Sequence, residues 1–188
     1  MAENIQSQLK DALQNFKLEE AFDLVKGGAN VNTQRSDNMT LLMLAIQTDN
    51  IELAKNLLEM PAIDVNLQND RGMTALMFAC NHLHEDLVKL LLEKGAQAGM
   101  LTFQEQIYRY QSRPLGLSAK SFAYKAGAGN PEKKKLYERV VALLDAALEK
   151  ERAANLGGGA GGSSQGGKRR RRKTRRRKTR RRTAKRRI

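Results

Sequence analysis

Three places in this chain carry residue types that could do chemistry. Cys80, His82 and His84 lie close together, a thiol and two imidazoles of the kind that bind a transition metal or arm a nucleophile. Gly162 to Lys168 spells G-x-x-x-x-G-K, the pattern of a phosphate-cradling loop. From Lys168 to Ile188 there are 16 Lys or Arg and no acid, a charge density suited to phosphate backbones.

The first two patterns lack what their chemistry needs. In the repeat register described below, both imidazoles fall in a polar turn between paired helices. Cys80 falls on an inward helix face and reads as a small core residue. The three side chains are therefore not expected to converge on a metal. The chain has only 2 His, and both sit in that one turn, so no Ser/His/Asp or Cys/His set is available. After Lys168 comes Arg169 where the phosphate loop needs the Ser or Thr that holds the metal. No strand pattern precedes it. No enzyme activity, cofactor or metal site is expected.

The basic segment survives this test. The chain holds 34 Lys and Arg against 20 Asp and Glu, a formal charge of +14. The excess is confined to the tail, because residues 1–156 keep 18 basic against 20 acidic residues, a net near −2. In the tail, Lys168, Arg169, Arg170, Arg171, Arg172 and Lys173 form a first run, and Arg175, Arg176, Arg177 and Lys178 a second. Arg180, Arg181 and Arg182 follow, then Lys185, Arg186 and Arg187. These residues are the candidate nucleic-acid contacts. Such a stretch buries nothing and repels itself, so it is expected to be disordered. No aromatic is interleaved, so base stacking and sequence readout are not expected. An import receptor is the other partner this composition fits. Thr174, Thr179 and Thr183 each follow a basic triplet and resemble sites of basic-directed kinases. Residues 157–167, GGGAGGSSQGG, read as a flexible tether spanning roughly 17–20 Å.

What precedes the tether must supply the fold. Met39-Thr40-Leu41-Leu42-Met43-Leu44-Ala45 matches Met73-Thr74-Ala75-Leu76-Met77-Phe78-Ala79 one period later, and Leu57-Leu58 matches Leu91-Leu92. A period of about 33–34 residues marks a stacked repeat whose units cannot bury their apolar faces alone. Leu9, Leu42 and Leu76 correspond, as do Ala12, Ala45 and Ala79, and each pair marks one face of a first helix. Ala21, Ala54 and Val88, then Leu24, Leu57 and Leu91, mark a second helix. Glycines such as Gly28 and Gly95 follow the second helices, where a left-handed C-cap is wanted. A fourth, stretched unit begins at Gly116, with Lys120 in place of the core Leu. Asn130-Pro131 opens its second helix, as N-cap and first helical residue. Residues 97–114 fit no repeat and read as an insertion, whose Phe103, Tyr108 and Tyr110 are expected to pack on the last units; the alternative is a protruding loop that helps contact a partner.

These residues resemble the ankyrin repeat over about 5–150. The family's opening Thr-Pro-Leu-His appears as Thr40-Leu41-Leu42-Met43 and Thr74-Ala75-Leu76-Met77, and its closing Gly-Ala-Asp-Val-Asn as Gly28-Ala29-Asn30-Val31-Asn32. The Pro and His are missing, and Leu83 sits where Gly is usual. The resemblance implies an all-α solenoid of stacked helix-turn-helix units with connecting hairpin loops, over residues 1–156. It also implies that an unknown protein is contacted through hairpin tips and helix-joining turns. Carried over, these positions are Ser36, Asp37, Met39, Gln47 and Thr48, then Asp70, Arg71, Met73, Asn81 and His82. In the last unit they are Leu115, Leu117, Tyr124 and Lys125. Met39, Met73 and Leu117 share one register position and are expected to form an exposed apolar stripe. Arg-rich tails behind a Gly/Ser linker are also similar to tails on proteins encoded by giant DNA viruses, which carry many ankyrin-repeat genes; the expected location is the nucleus or cytoplasm, which the viral resemblance would place in an infected host cell.

No apolar run approaches the ~18–20 residues of a membrane span, and Met1 to Lys10 lacks the apolar centre of a signal peptide. A lone cysteine fits a reducing, intracellular setting. The expected molecule is a monomeric adaptor, binding protein through its repeats and nucleic acid or an import receptor through its tail. The alternative is a nucleic-acid packaging protein in which the tail acts and the solenoid is a scaffold.

Overall fold

The computed structural model describes residues 2–102, 117–127 and 131–157. They form α1 (Ala2–Gln14), α2 (Leu18–Lys26), α3 (Leu41–Gln47), α4 (Ile51–Leu58), α5 (Ala75–His82), α6 (Glu85–Glu93), α7 (Ala119–Gly127) and α8 (Pro131–Gly157). The helices pack in consecutive antiparallel pairs. The first helices stack α3 on α5 on α7, and the second helices α4 on α6 on α8. The fold is an all-α repeat solenoid. The basic tail at 168–188 and the tether beyond Gly157 lie outside the described residues, as do Phe103, Tyr108, Tyr110 and Asn130.

The first helices α3, α5 and α7 start the same way. Thr40 Oγ1 accepts from the Met43 amide at 3.2 Å, and Thr74 Oγ1 from the Met77 amide at 3.4 Å. Ser118 Oγ accepts from the Ser121 amide at 3.4 Å at the start of α7. One hydroxyl thus satisfies a helix-start N–H that would otherwise lack a partner in each unit. The Leu/Ala skeleton is then buried: Leu42, Ala45, Leu57, Leu76, Ala79 and Leu91 are all shielded from solvent. The small methyls of Ala45 and Ala79, both fully buried, let the helix pairs approach closely. Between the paired helices, Phe16, Asp49 and Leu83 occupy one register position, and all are left-handed, with φ 56°, 58° and 58°. Glycine would adopt this conformation without strain, whereas a side chain costs about 1–2 kcal/mol. Leu83 offsets that cost by being buried. Gly28 and Gly95, at φ 100° and 88°, end the outer helices as their spacing implies.

Two ladders of side-chain amides tie successive repeats together. Asn32 Nδ2 donates to the Ala62 carbonyl at 2.7 Å, and its Oδ1 accepts from the Asp64 amide at 2.8 Å. One repeat on, Asn66 Nδ2 donates to the Gly95 carbonyl at 3.0 Å and Oδ1 accepts from the Gln97 amide at 2.8 Å. Beside them, Gln34 Nε2 reaches the Gln68 carbonyl at 3.2 Å, and Gln68 Nε2 the Leu101 carbonyl at 3.0 Å.

These bonds correct the reading of the insertion at 97–114. Residues 97–102 continue the repeat, with Leu101 pairing to Ser118 in an isolated bridge as Gln34 pairs to Thr40. Only 103–114 of that segment lies outside the described residues. The substituted core position in α7 is also explained. Lys120 Nζ bonds both carboxylate oxygens of Asp145 on α8, at 2.7 and 2.8 Å. The last helix keeps Val140 and Leu144 buried and Lys134, Lys135 and Glu138 exposed, the wet outer face of a terminal unit.

Candidate functional site

The hairpins that precede α3 and α5 project side by side, and a groove of about 640 Å³ opens between them. Its wall begins at the inner turn of the first unit. Left-handed Phe16 is turned outward, 56% exposed, and the Arg35 guanidinium lies 4.5 Å above its ring centroid. Arg35 also grips Asp37 as a fork: Nε donates to Oδ1 and Nη2 to Oδ2, each at 2.6 Å. Its Nη1 is buried without a hydrogen-bond partner. The paired guanidinium holds the Asp37 carboxyl below the usual carboxylate range. Asp37 Oδ1 in turn accepts from the Met39 amide at 3.2 Å and closes the turn. In the next hairpin Asn69 performs that closure alone, accepting from the Arg71 and Met73 amides at 3.0 and 2.9 Å. Asp70 connects the two hairpins, its amide donating to the Asp37 carbonyl at 3.1 Å and its carboxylate accepting from Asn38 Nδ2.

Of the positions expected to contact a partner, Asp37, Met39, Gln47, Thr48, Asp70, Arg71 and Met73 all line this groove. Ser36 is exposed beside it and bonds Gln14. Asn81 and His82 lie at the inner turn, away from the hairpin tips. In the last unit Leu117 and Tyr124 are 47% and 64% exposed and Lys125 is exposed, while Leu115 lies outside the described residues.

The expected apolar stripe needs correction. Leu117 is exposed and Met73 half-buried, but Met39 is only 5% exposed. Its sulfur accepts from Asn69 Nδ2 at 3.2 Å, so the neighbouring hairpin covers it. Met39 is a floor residue, not a free contact. Phe16, Arg35, Asn69 and Phe78 also line the groove and were not singled out from the sequence. The signal for Phe16 was an aromatic in the left-handed turn position that Asp49 and Leu83 share. Arg35 and Asn69 are register equivalents of different chemistry, and carry no shared signal.

At the opposite end of the first helices, the inner turns of repeats two and three meet. Asp49 Oδ1 lies 3.2 Å from His82 Nδ1 and 2.8 Å from His84 Nε2. The imidazoles stack with planes 8° apart and centroids 5.6 Å apart. The His84 hydrogen bond holds the Asp49 carboxyl below its ordinary range. Cys80 does face inward and is fully buried, and burial pushes its thiol up to about 12, which leaves no thiolate nucleophile near neutrality. Cys80 does not converge with His82 and His84; the group that joins the two imidazoles is Asp49.

Among the described residues no helix is long and apolar enough to cross a membrane. No curated protein matches the chain. The family model described as ankyrin repeats (3 copies) matches residues 9–100, which run from within α1 through α6 and include the groove-lining residues. The repeat plan, the hairpin-walled groove and this match agree: residues 9–100 are three ankyrin repeats, a repeat that serves as a protein–protein interaction module.

Proposed function

We propose that this chain is an adaptor: the groove between the hairpins that precede α3 and α5 docks a protein, and the 168–188 segment holds nucleic acid or directs nuclear entry. The groove carries the reading. It joins an apolar floor, Met39 and Phe78, to a rim of Asp70, Arg71 and half-buried Met73, a composition that suits an amphipathic protein surface. The basic segment supports the second half through its 16 positive charges, which suit phosphates without reading bases. Nuclear or cytoplasmic residence and a monomeric state belong to the same proposal.

The test separates the two halves. The full chain and a 1–156 fragment are titrated against two unrelated DNA duplexes at several salt concentrations, and both are used as bait for protein partners. With on the order of 8–12 charges engaged, log K against log salt slopes near −7 to −11 for the full chain, equally for both duplexes. The fragment retains protein and loses DNA. A flat salt response, or preference for one duplex, contradicts phosphate-backbone binding. A fragment that captures nothing favours the packaging alternative, with the solenoid a scaffold. Thr→Glu at Thr174, Thr179 and Thr183 weakens the DNA arm by adding a negative charge at each site, and phosphorylation there, at about −1.5 to −2 charges per site, weakens it more.

A further inference from the structure

Asp49, His82 and His84 present one oxygen and two ring nitrogens that all lie within 4.8 Å of one another. The backbone arranges them. Asp49 stands in the left-handed position of the α3–α4 turn, and Leu83, equally left-handed, stands between the two histidines in the next turn. That reversal puts His82, the last residue of α5, and His84, which precedes α6, on the same side with parallel rings. His84 spends no side-chain bond on capping α6. Both imidazoles instead aim ring nitrogens at Asp49 across the boundary between repeats.

We propose that Asp49, His82 and His84 form a zinc-class divalent-metal site that staples the second repeat to the third. Zinc–nitrogen and zinc–oxygen bonds of about 2.0–2.2 Å place tetrahedral ligand atoms about 3.4 Å apart. The nitrogen–oxygen separations of 2.8 and 3.2 Å are already near that edge length. Two imidazoles and one carboxylate are the donor set of borderline-soft transition metals, not of magnesium or calcium. The side chain of Asp49 is 63% exposed and those of His82 and His84 are 27% and 26% exposed, so the site is open on one side. A metal can enter there, and water completes the fourth position. To admit the metal, Asp49 Oδ1 withdraws from its direct contacts, and each imidazole presents the lone pair of a neutral ring. Competition within the chain is low: the 2 His are the only ones, the single Cys is buried, and Lys and Arg are not ligands at neutral pH.

The experiment uses the untagged full chain in a chelator-free, phosphate-free buffer near pH 7.5, titrated with ZnCl2. The expected result is one equivalent bound, both imidazole proton signals shifted, and a melting temperature that rises with zinc. Magnesium chloride has no effect. Asp49→Asn and His84→Gln each weaken zinc binding at least tenfold, a loss no smaller than that from removing an outer-shell partner. Circular dichroism checks that each variant keeps its helix content, and should His84→Gln lose it, Asp49→Asn and the imidazole shifts of the unaltered chain carry the test. No binding at millimolar zinc, an equal response to magnesium, or unchanged affinity in folded Asp49→Asn overturns the site.

Discussion

Leu76 and Lys120 occupy the same place in successive first helices and do opposite things. Leu76 is fully buried in α5, a helix flanked by both α3 and α7. Lys120 stands on α7, where its ammonium turns to Asp145 with both side chains nearly half exposed. The surrounding skeleton is shared: Ala79 and Ala123 are both fully buried, and Thr74 and Ser118 cap their helices alike. The difference teaches that the spacing rule of the repeat is obeyed by the small residues that let helices approach, while the large apolar position follows demand. A unit with neighbours on both sides needs a leucine there, and a terminal unit tolerates an ion pair at its wet edge.

Truncation separates the two positions most widely. Leu76→Ala is expected to cost about 2–5 kcal/mol by lost transfer energy and cavity formation. Lys120→Ala is expected to cost under about 1 kcal/mol, because the pair it breaks is solvent-screened. Urea midpoints of the two variants check this, and similar losses would break the comparison. At the shared position, Ala79→Leu is expected to cost about 1–3 kcal/mol by overpacking, with Ala123→Leu in the same range. Cys80→Ala, beside it in α5, loses little volume and costs less. An unchanged midpoint for Ala79→Leu would show the helix register to be misplaced.

Smaller effects probe the links between units. Asn66→Ala removes two bonds to the next repeat, at 3.0 and 2.8 Å, and is expected to cost about 0.5–1.5 kcal/mol. A loss confined to the third and fourth units, read by amide exchange, distinguishes the ladder from a local turn. The smallest effect is on pH. The Asp37 carboxyl is held down first by its hydrogen bond from Arg35. A depressed carboxyl contributes stability that is fully present above its unfolded value of about 3.9 and is lost as pH falls through the folded value. Wild type and Asp37→Asn are therefore expected to differ near neutrality and to converge below about pH 4, in melts compared across pH.

The repeat plan was legible in the sequence because it rests on spacing. Leu42, Ala45 and their equivalents recur with the fold's own period, and Thr40 and Thr74 announce helix starts by chemistry. The wet outer side of α8 follows from its lysines and glutamates. What was not legible depends on neighbours one repeat away. Met39 and Met73 match in register, yet Met39 is covered by Asn69 from the next hairpin, and Leu117, at the same position, is exposed. The Asn32 and Asn66 ladder looks like ordinary polar loop residues until carbonyls from the next repeat are placed beside them. Asp49 lies a full repeat from His82 and His84, so a search among sequence neighbours meets Cys80 instead, whose side chain points into the core.

The central claim, that the groove between the hairpins preceding α3 and α5 docks a protein, is tested most directly at Met73. The full chain and its Met73→Glu variant are compared for melting temperature and for retention of a partner captured by the wild type, with Met39→Glu as the buried counterpart. The account predicts that Met73→Glu keeps its melting temperature within a few degrees and loses the partner, while Met39→Glu melts much lower because it buries an unpaired charge. Retention of the partner by folded Met73→Glu, or collapse of its melting temperature, would contradict the account.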